Sequence, residues 1–119
     1  MMKKIYYLST CDTCARIIRR LGGMEDFEKQ DIKTDQITAG QLAEMKKLAG
    51  SFESLFSRRA VLYRERNLKE VNLKEEDYRR LILEEYTFLK RPVIIIGRKI
   101  FVGNEEKKVA AVELALGLK

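Results

Sequence analysis

The chain's only proline, Pro92, is followed at once by Val93-Ile94-Ile95-Ile96. Four consecutive β-branched residues favour a strand. With no polar residue alternating, that strand must be buried on both faces. A sheet holding such a strand needs cover on each side, so the chain calls for a layered α/β arrangement. Pro92 sets the near boundary, because it cannot donate to a ladder and restricts the residue before it. Gly97-Arg98 fits a two-residue hairpin turn with Gly first, and Lys99 to Val102 reads as the returning strand. Gly103-Asn104 breaks it. Val109, Val112 and Leu116 then give a closing helix. The C-terminal part is therefore β-β-α.

The N-terminal part reads β-α-β. Lys3 to Leu8 is rich in β-branched and aromatic residues and reads as a strand. Ser9, Thr10 and Asp12 supply helix-start chemistry. Cys14, Ile17, Ile18 and Leu21 fall at helical spacing on one stripe, with Arg16, Arg19 and Arg20 on the wet face. Gly22-Gly23 stops the helix, and Phe27 to Ile32 is the second strand. Two strands joined through a helix in one sheet must be parallel, with a right-handed crossover.

Between the two parts the pattern is helical. Thr38-x-x-Gln41 is a capping box, and Leu42, Met45, Leu48 and Ala49 carry a stripe to Gly50. Phe52, Leu55 and Phe56 suggest a short helix, and Arg58 to Arg66 a basic one. Asn72-x-x-Glu75 reads as a further cap, opening a helix with Tyr78, Leu81, Ile82 and Leu89 on one side. The expectation is a single α/β domain over residues 1–119. It has a mixed four-stranded sheet and a helical insertion at about 38–89.

Composition prunes the chemistry. The chain of 119 residues has no His and two cysteines, Cys11 and Cys14. Cys-His and Ser-His nucleophile pairs and His-ligated metal sites are thereby excluded, and a four-thiolate zinc site would need a second chain. No metal is expected. The apolar part of the N-terminus is too short for a signal sequence, and no apolar run approaches a membrane span. A cytoplasmic protein is expected. The net charge is +6, but no basic run reaches the length of a nucleic-acid tail. Neither direct nucleic-acid binding nor a membrane is expected. The basic segments hold the Cys pair, the Arg58-Arg59 doublet and Lys90-Arg91-Pro92. Brought together, they would surround a thiol with positive charge.

Cys11 follows the first strand and stands at the head of a helix. Unpaired N–H groups and the positive end of the helix dipole favour an anion there, so a thiolate is stabilised and its pKa falls. Cys14 is one turn further on. That is near enough for the two sulfurs to bridge under oxidation. Cys14 also lies on the apolar stripe, where burial as a small core residue is the simpler account.

The string Tyr7-Leu8-Ser9-Thr10-Cys11-Asp12-Thr13-Cys14, the segment Ser57-Arg58-Arg59-Ala60-Val61, and Lys90-Arg91-Pro92-Val93-Ile94-Ile95 with its Val-Gly-Asn stop resemble the ArsC/Spx family over essentially the whole chain. That family includes glutaredoxin-coupled arsenate reductases, YffB-like thiol reductases and Spx transcription regulators. The resemblance implies a thioredoxin-like fold with a helical insertion and a cis Pro92 at the site. It places the nucleophile on Cys11 and oxyanion-binding arginines on Arg58, with Arg59 the neighbouring alternative, and on Arg91. Thr13 joins them as an oxyanion-binding residue.

Two departures from the arsenate reductase pattern stand out. The stretch Phe101-Val102-Gly103-Asn104 has no third Arg, and Cys14 adds a second thiol, as in Spx. Gly50, eight residues before Arg58, falls where Spx has a Gly that contacts RNA polymerase, although a Gly closing a helix needs no partner. The resemblance implies a thiol-dependent oxidoreductase. Cys11 would attack an oxyanion or a disulfide, and glutathione, glutaredoxin or Cys14 would resolve the adduct. No bound cofactor is expected, with glutathione as co-substrate. The alternative is a Spx-like regulator that binds RNA polymerase through a Cys11–Cys14 switch.

Overall fold

The computed structural model describes residues 2–118. Four strands form one mixed sheet: β1 (Lys3–Tyr7), β2 (Glu28–Asp31), β3 (Val93–Ile96) and β4 (Lys99–Val102), in the order β2-β1-β3-β4. β1 and β2 are parallel, as the intervening helix requires, while β1·β3 and β3·β4 are antiparallel. The chain divides into two compact units, Met1–Gln36 with Arg91–Lys119, and Ile37–Lys90. The first unit holds the sheet with α1 (Asp12–Arg20) and α5 (Glu106–Ala115). No helix among the described residues is long and apolar enough to cross a membrane.

All four side chains of β3 are buried. Removing a Val or Ile side chain from water contributes about 1.5–3 kcal/mol, which makes this strand the anchor of the sheet. Ile94 and Ile96 join Ile5 of β1, Ile17 and Leu21 of α1, and Val109 and Val112 of α5 in one cluster. Thus the helical stripes read from spacing do face the sheet. The turn into β4 uses Gly97 at φ +62, a conformation that costs a residue with a Cβ. α1 ends where Gly22, at φ +80, lets its N–H and that of Gly23 bond back to Arg19 O and Ile18 O.

The second unit contains α2 (Ala39–Ala49), α3 (Val61–Glu65) and α4 (Glu75–Glu84), linked by 3-10 turns at Glu53–Leu55, Leu68–Glu70 and Tyr86–Phe88. α2 opens on the expected box: Thr38 Oγ1 accepts from Gln41 N at 3.0 Å, and Gln41 Oε1 from Thr38 N at 3.1 Å. Three local expectations are corrected. Arg58–Arg66 is helical only over Val61–Glu65. Phe56 is held extended in a bridge with Leu89, and Ser57 N bonds to Phe88 O, so the helix cannot begin at Arg58. Leu89 is buried but not in α4, which ends at Glu84 before an extended Glu85. Nor is Asn72 the cap of α4. Lys74 holds that position, and its N–H donates to Asp77 Oδ2 at 2.9 Å. The Glu75 carboxylate instead accepts from Phe52 N and Glu53 N, satisfying the start of the first 3-10 turn.

Candidate functional site

The site is built on the β1–α1 junction. Beyond β1, Cys11 N donates to Leu8 O at 3.0 Å, which closes a tight turn. Cys11 is then the N-cap of α1, in extended conformation (φ −100°, ψ 114°). Its side chain is half-buried, while Cys14, inside the first turn, is buried; both thiols are free. The loop is tied to β2 by Asp31, whose Oδ1 accepts from Ser9 N at 3.3 Å and Lys33 N at 3.2 Å. Hydrogen bonding from the Ser9 side chain is the largest influence holding the Asp31 carboxyl below the usual carboxylate range. Nothing in the local sequence marks Asp31 as a support for this loop. The contact spans 22 residues and depends on the parallel pairing of β1 with β2.

The two thiols are driven in opposite directions. For Cys11 the largest single influence is burial, which disfavours the thiolate. It is outweighed by hydrogen bonds from the Cys14 backbone N–H, the Cys14 thiol and the Thr13 N–H, together with the positive charge of Arg91, and the pKa falls. For Cys14 burial dominates. A hydrogen bond from the Leu8 backbone and the charge of Arg91 pull the other way, but the Cys11 charge adds to burial, and the thiol is pushed up to about 11. A thiolate at Cys11 therefore sits beside a protonated Cys14 that donates to it.

Arg91 leads into Pro92 through a cis peptide bond. Pro92 is buried, and its carbonyl accepts from Gly103 N at 2.9 Å. The Arg91 Nε is buried, and the guanidinium charge acts on both sulfurs. Cys11, Thr13, Cys14, Arg91 and Pro92 thus all belong to the first unit. Arg58 lies in the second, exposed, with Nη2 donating to Glu53 Oε2 at 2.7 Å and to the Tyr78 hydroxyl at 3.1 Å. Its guanidinium also lies over the Tyr78 ring, 5.8 Å from the centroid. Arg59 is exposed.

The wet face of α1 is more structured than its spacing suggests. Arg20 forks onto Glu106 of α5, with contacts of 2.7 and 2.8 Å, and reaches the buried Glu113 at 2.8 Å. A carboxylate with 6% side-chain exposure needs such a partner. Arg16 Nη2 lies 3.4 Å from Thr13 Oγ1.

Arg91→Ala is expected to raise the Cys11 pKa, since a positive charge that favours the thiolate is lost. Alkylation of Cys11 at neutral pH should slow, and the pH at half-maximal rate should move up. An unchanged profile would remove Arg91 from the site.

A model of the ArsC family matches residues 6–112. No curated protein matches the chain significantly in sequence. Among solved structures, an ArsC family related protein from Bacteroides fragilis is 22% identical, with a TM-score of 0.77 over 94% of this chain and 99% of that one. An arsenate reductase from Vibrio cholerae is 18% identical, with a TM-score of 0.73 over 94% and 98%. An ArsC-related protein from Brucella melitensis is 25% identical, with a TM-score of 0.71 over 98% and 95%.

Proposed function

The chain belongs to the ArsC family, and from that premise we propose that it is a thiol-dependent reductase in which the Cys11 thiolate attacks an oxidised substrate. The observation that supports this reading is the opposite displacement of two neighbouring thiols at a helix start. A nucleophile must be ionised at working pH, and its neighbour must not compete with it.

With a disulfide R–S–S–R′, the Cys11 thiolate bonds to one sulfur, the S–S bond breaks and R′S⁻ leaves. The Cys11 mixed disulfide is then attacked by a second thiolate. If glutathione attacks the R sulfur, Cys11 returns as a thiolate and R departs as a new mixed disulfide. If Cys14 attacks Cys11, RS⁻ leaves and a Cys11–Cys14 disulfide forms, to be reduced by two electrons from glutathione or glutaredoxin. With an oxyanion such as arsenate, Cys11 bonds to the central atom and a protonated oxygen leaves as water. Attack of glutathione on the Cys11 sulfur then releases the reduced oxyanion and leaves a Cys11–glutathione disulfide. Arg91 holds the thiolate, and Thr13 presents its N–H beside it. Arg58 enters by family resemblance as an oxyanion-binding residue. Arg58→Ala is accordingly expected to weaken binding of sulfate or arsenate and to leave the Cys11 titration unchanged. The reaction belongs in the cytoplasm, where glutathione and glutaredoxin keep thiols reduced.

The test is a reductase panel with arsenate and a glutathione mixed disulfide, each run with glutathione and with glutaredoxin. Turnover of either substrate that needs Cys11 supports the reading. A second thiol beside Cys11 also suits a Spx-type switch acting on RNA polymerase. Reversible Cys11–Cys14 oxidation, with polymerase binding and no turnover in any arm, would replace the enzyme by that regulator.

A further inference from the structure

Two lysines stand on the helix-covered face of the sheet, where side chains are normally apolar. Lys3 of β1 and Lys99 of β4 both pair in register with Ile96 of β3, and directly opposed residues share a face. Ile96 belongs to the buried cluster with α1 and α5, so the row lies on that side. Between this row and the end of α5 is a pocket of about 470 Å³. Ile96, Ala115 and Leu116 give it an aliphatic lining, and Arg98 of the β3–β4 turn adds a third cation. Arg98 and Lys99 are exposed, and among the described residues neither has an ion-pair partner. Lys3 Nζ donates to Asp26 Oδ2 at 2.6 Å, and an ammonium has further protons to give. Three positive charges thus stand against one carboxylate and about half a negative charge at the C-terminal end of α5. That balance leaves a place for one more anion. The pocket is at the opposite end of β1 from Cys11, about 13 Å along the strand.

No aromatic ring and no neutral side-chain amide or hydroxyl lines the pocket. A nucleobase or a sugar would leave polar edges unpaired there, whereas an alkyl chain has none to leave. The volume equals that of roughly sixteen waters, so a carboxylate on a chain of about eight to twelve carbons fits it. Apolar surface also continues beyond the pocket. Among the described residues five large apolar side chains are exposed, and Met2, Leu114 and Leu118 are three of them. Met2 is tied to the turn, its carbonyl accepting from Gly97 N at 2.7 Å, and the two leucines flank Ala115 and Leu116 in sequence. We propose that this pocket binds a medium-chain fatty carboxylate. Arg98 takes the carboxylate as a fork, Lys3 and Lys99 add charge on either side, and the chain lies on Ile96 and Leu116. The inference is independent of the reductase reading, since no residue of the thiol site takes part.

The test titrates octanoate, octanamide and butyrate into the full chain by calorimetry and NMR. Octanamide keeps the chain without the charge and is expected to bind about tenfold or more weakly than octanoate. Butyrate keeps the charge with less chain and should lose about fourfold for each methylene no longer buried. Amide shifts on adding octanoate should centre on Ile96, Arg98, Lys99 and Leu116. The double variant Arg98→Gln with Lys99→Gln should weaken octanoate about tenfold or more. Lys33→Gln with Lys107→Gln, which removes equal charge from exposed positions of the same unit outside the pocket, should not. Equal affinity for octanoate and octanamide, equal affinity for octanoate and butyrate, no binding, shifts centred elsewhere, or equal loss in the two double variants would each overturn the proposal. Binding to phosphatidylglycerol vesicles with none to free octanoate would overturn it in favour of a membrane surface.

Discussion

Cys11→Ser is expected to lower turnover of any substrate the protein reduces by about a thousandfold or more, the scale seen when a nucleophile is removed. A serine hydroxyl stays protonated at neutral pH, and the chain has no His to activate it. Cys14→Ser is expected to be mild by comparison. Burial, the largest influence on the Cys14 thiol, persists in the adduct and disfavours its thiolate. External glutathione, present in excess, should therefore resolve most adducts. Turnover with glutathione should stay within about tenfold of wild type, and only the Cys11–Cys14 disulfide should disappear. The serine hydroxyl still donates to the Cys11 thiolate, so the thiolate remains supported. Steady-state rates for the two variants, with mass spectrometry of the oxidised chains, check both statements. A collapse of turnover in Cys14→Ser would show that the buried thiol is the obligatory resolving group.

The second large effect is on stability. Phe56 is fully buried and stacks on Phe88, with centroids 5.1 Å apart and planes at 17°. It also meets Tyr78 at 4.9 Å and Tyr63 at 5.9 Å, both at steep angles. Phe→Ala at such a position costs about 3–5 kcal/mol through lost burial and a residual cavity. Each aromatic pair adds about 0.5–1.5 kcal/mol beyond its area. Against a typical total of about 5–15 kcal/mol, the second unit should lose much of its stability in urea. The consequence reaches function, because Tyr78 is one of the two groups holding Arg58. Val61→Ala, on a side chain 57% exposed in the same unit, should stay within about 0.5 kcal/mol of wild type. Equal midpoints for the two variants would contradict this account of the aromatic cluster.

Local sequence signals carried far into the fold. The β-branched run at Val93–Ile96, the stripe Cys14-Ile17-Leu21 and the Thr38–Gln41 box are each written in neighbouring residues, and each forms as read. The second strand was legible despite its charges, because Phe27 and Ile32 bracket it and both are buried. The errors came where distant contacts decide. Phe56 is extended because Leu89 pairs with it, and Glu75 leaves its own helix start to satisfy Phe52 and Glu53. No window of sequence contains both partners.

The same division holds at the candidate site. Cys11 at the helix head and Arg91 before Pro92 follow from local order. Asp31 behind the Cys11 loop, and Glu113 buried against Arg20, do not. Glu113 follows directly on the apolar Val112, and a guanidinium from α1 supports its burial.

The most direct test of the central claim is the pH profile of iodoacetamide labelling, with each cysteine followed separately by peptide mass spectrometry. The ionised fraction of a thiol sets its rate, so a lowered pKa shifts the profile to lower pH and a raised one to higher pH. Cys11 should be labelled first, with its midpoint below the ordinary thiol value of about 8.5. Cys14 should stay resistant until the pH approaches 11. Two cysteines that titrate together near 8.5, or a Cys14 that reacts first, would contradict the assignment of Cys11 as the nucleophile.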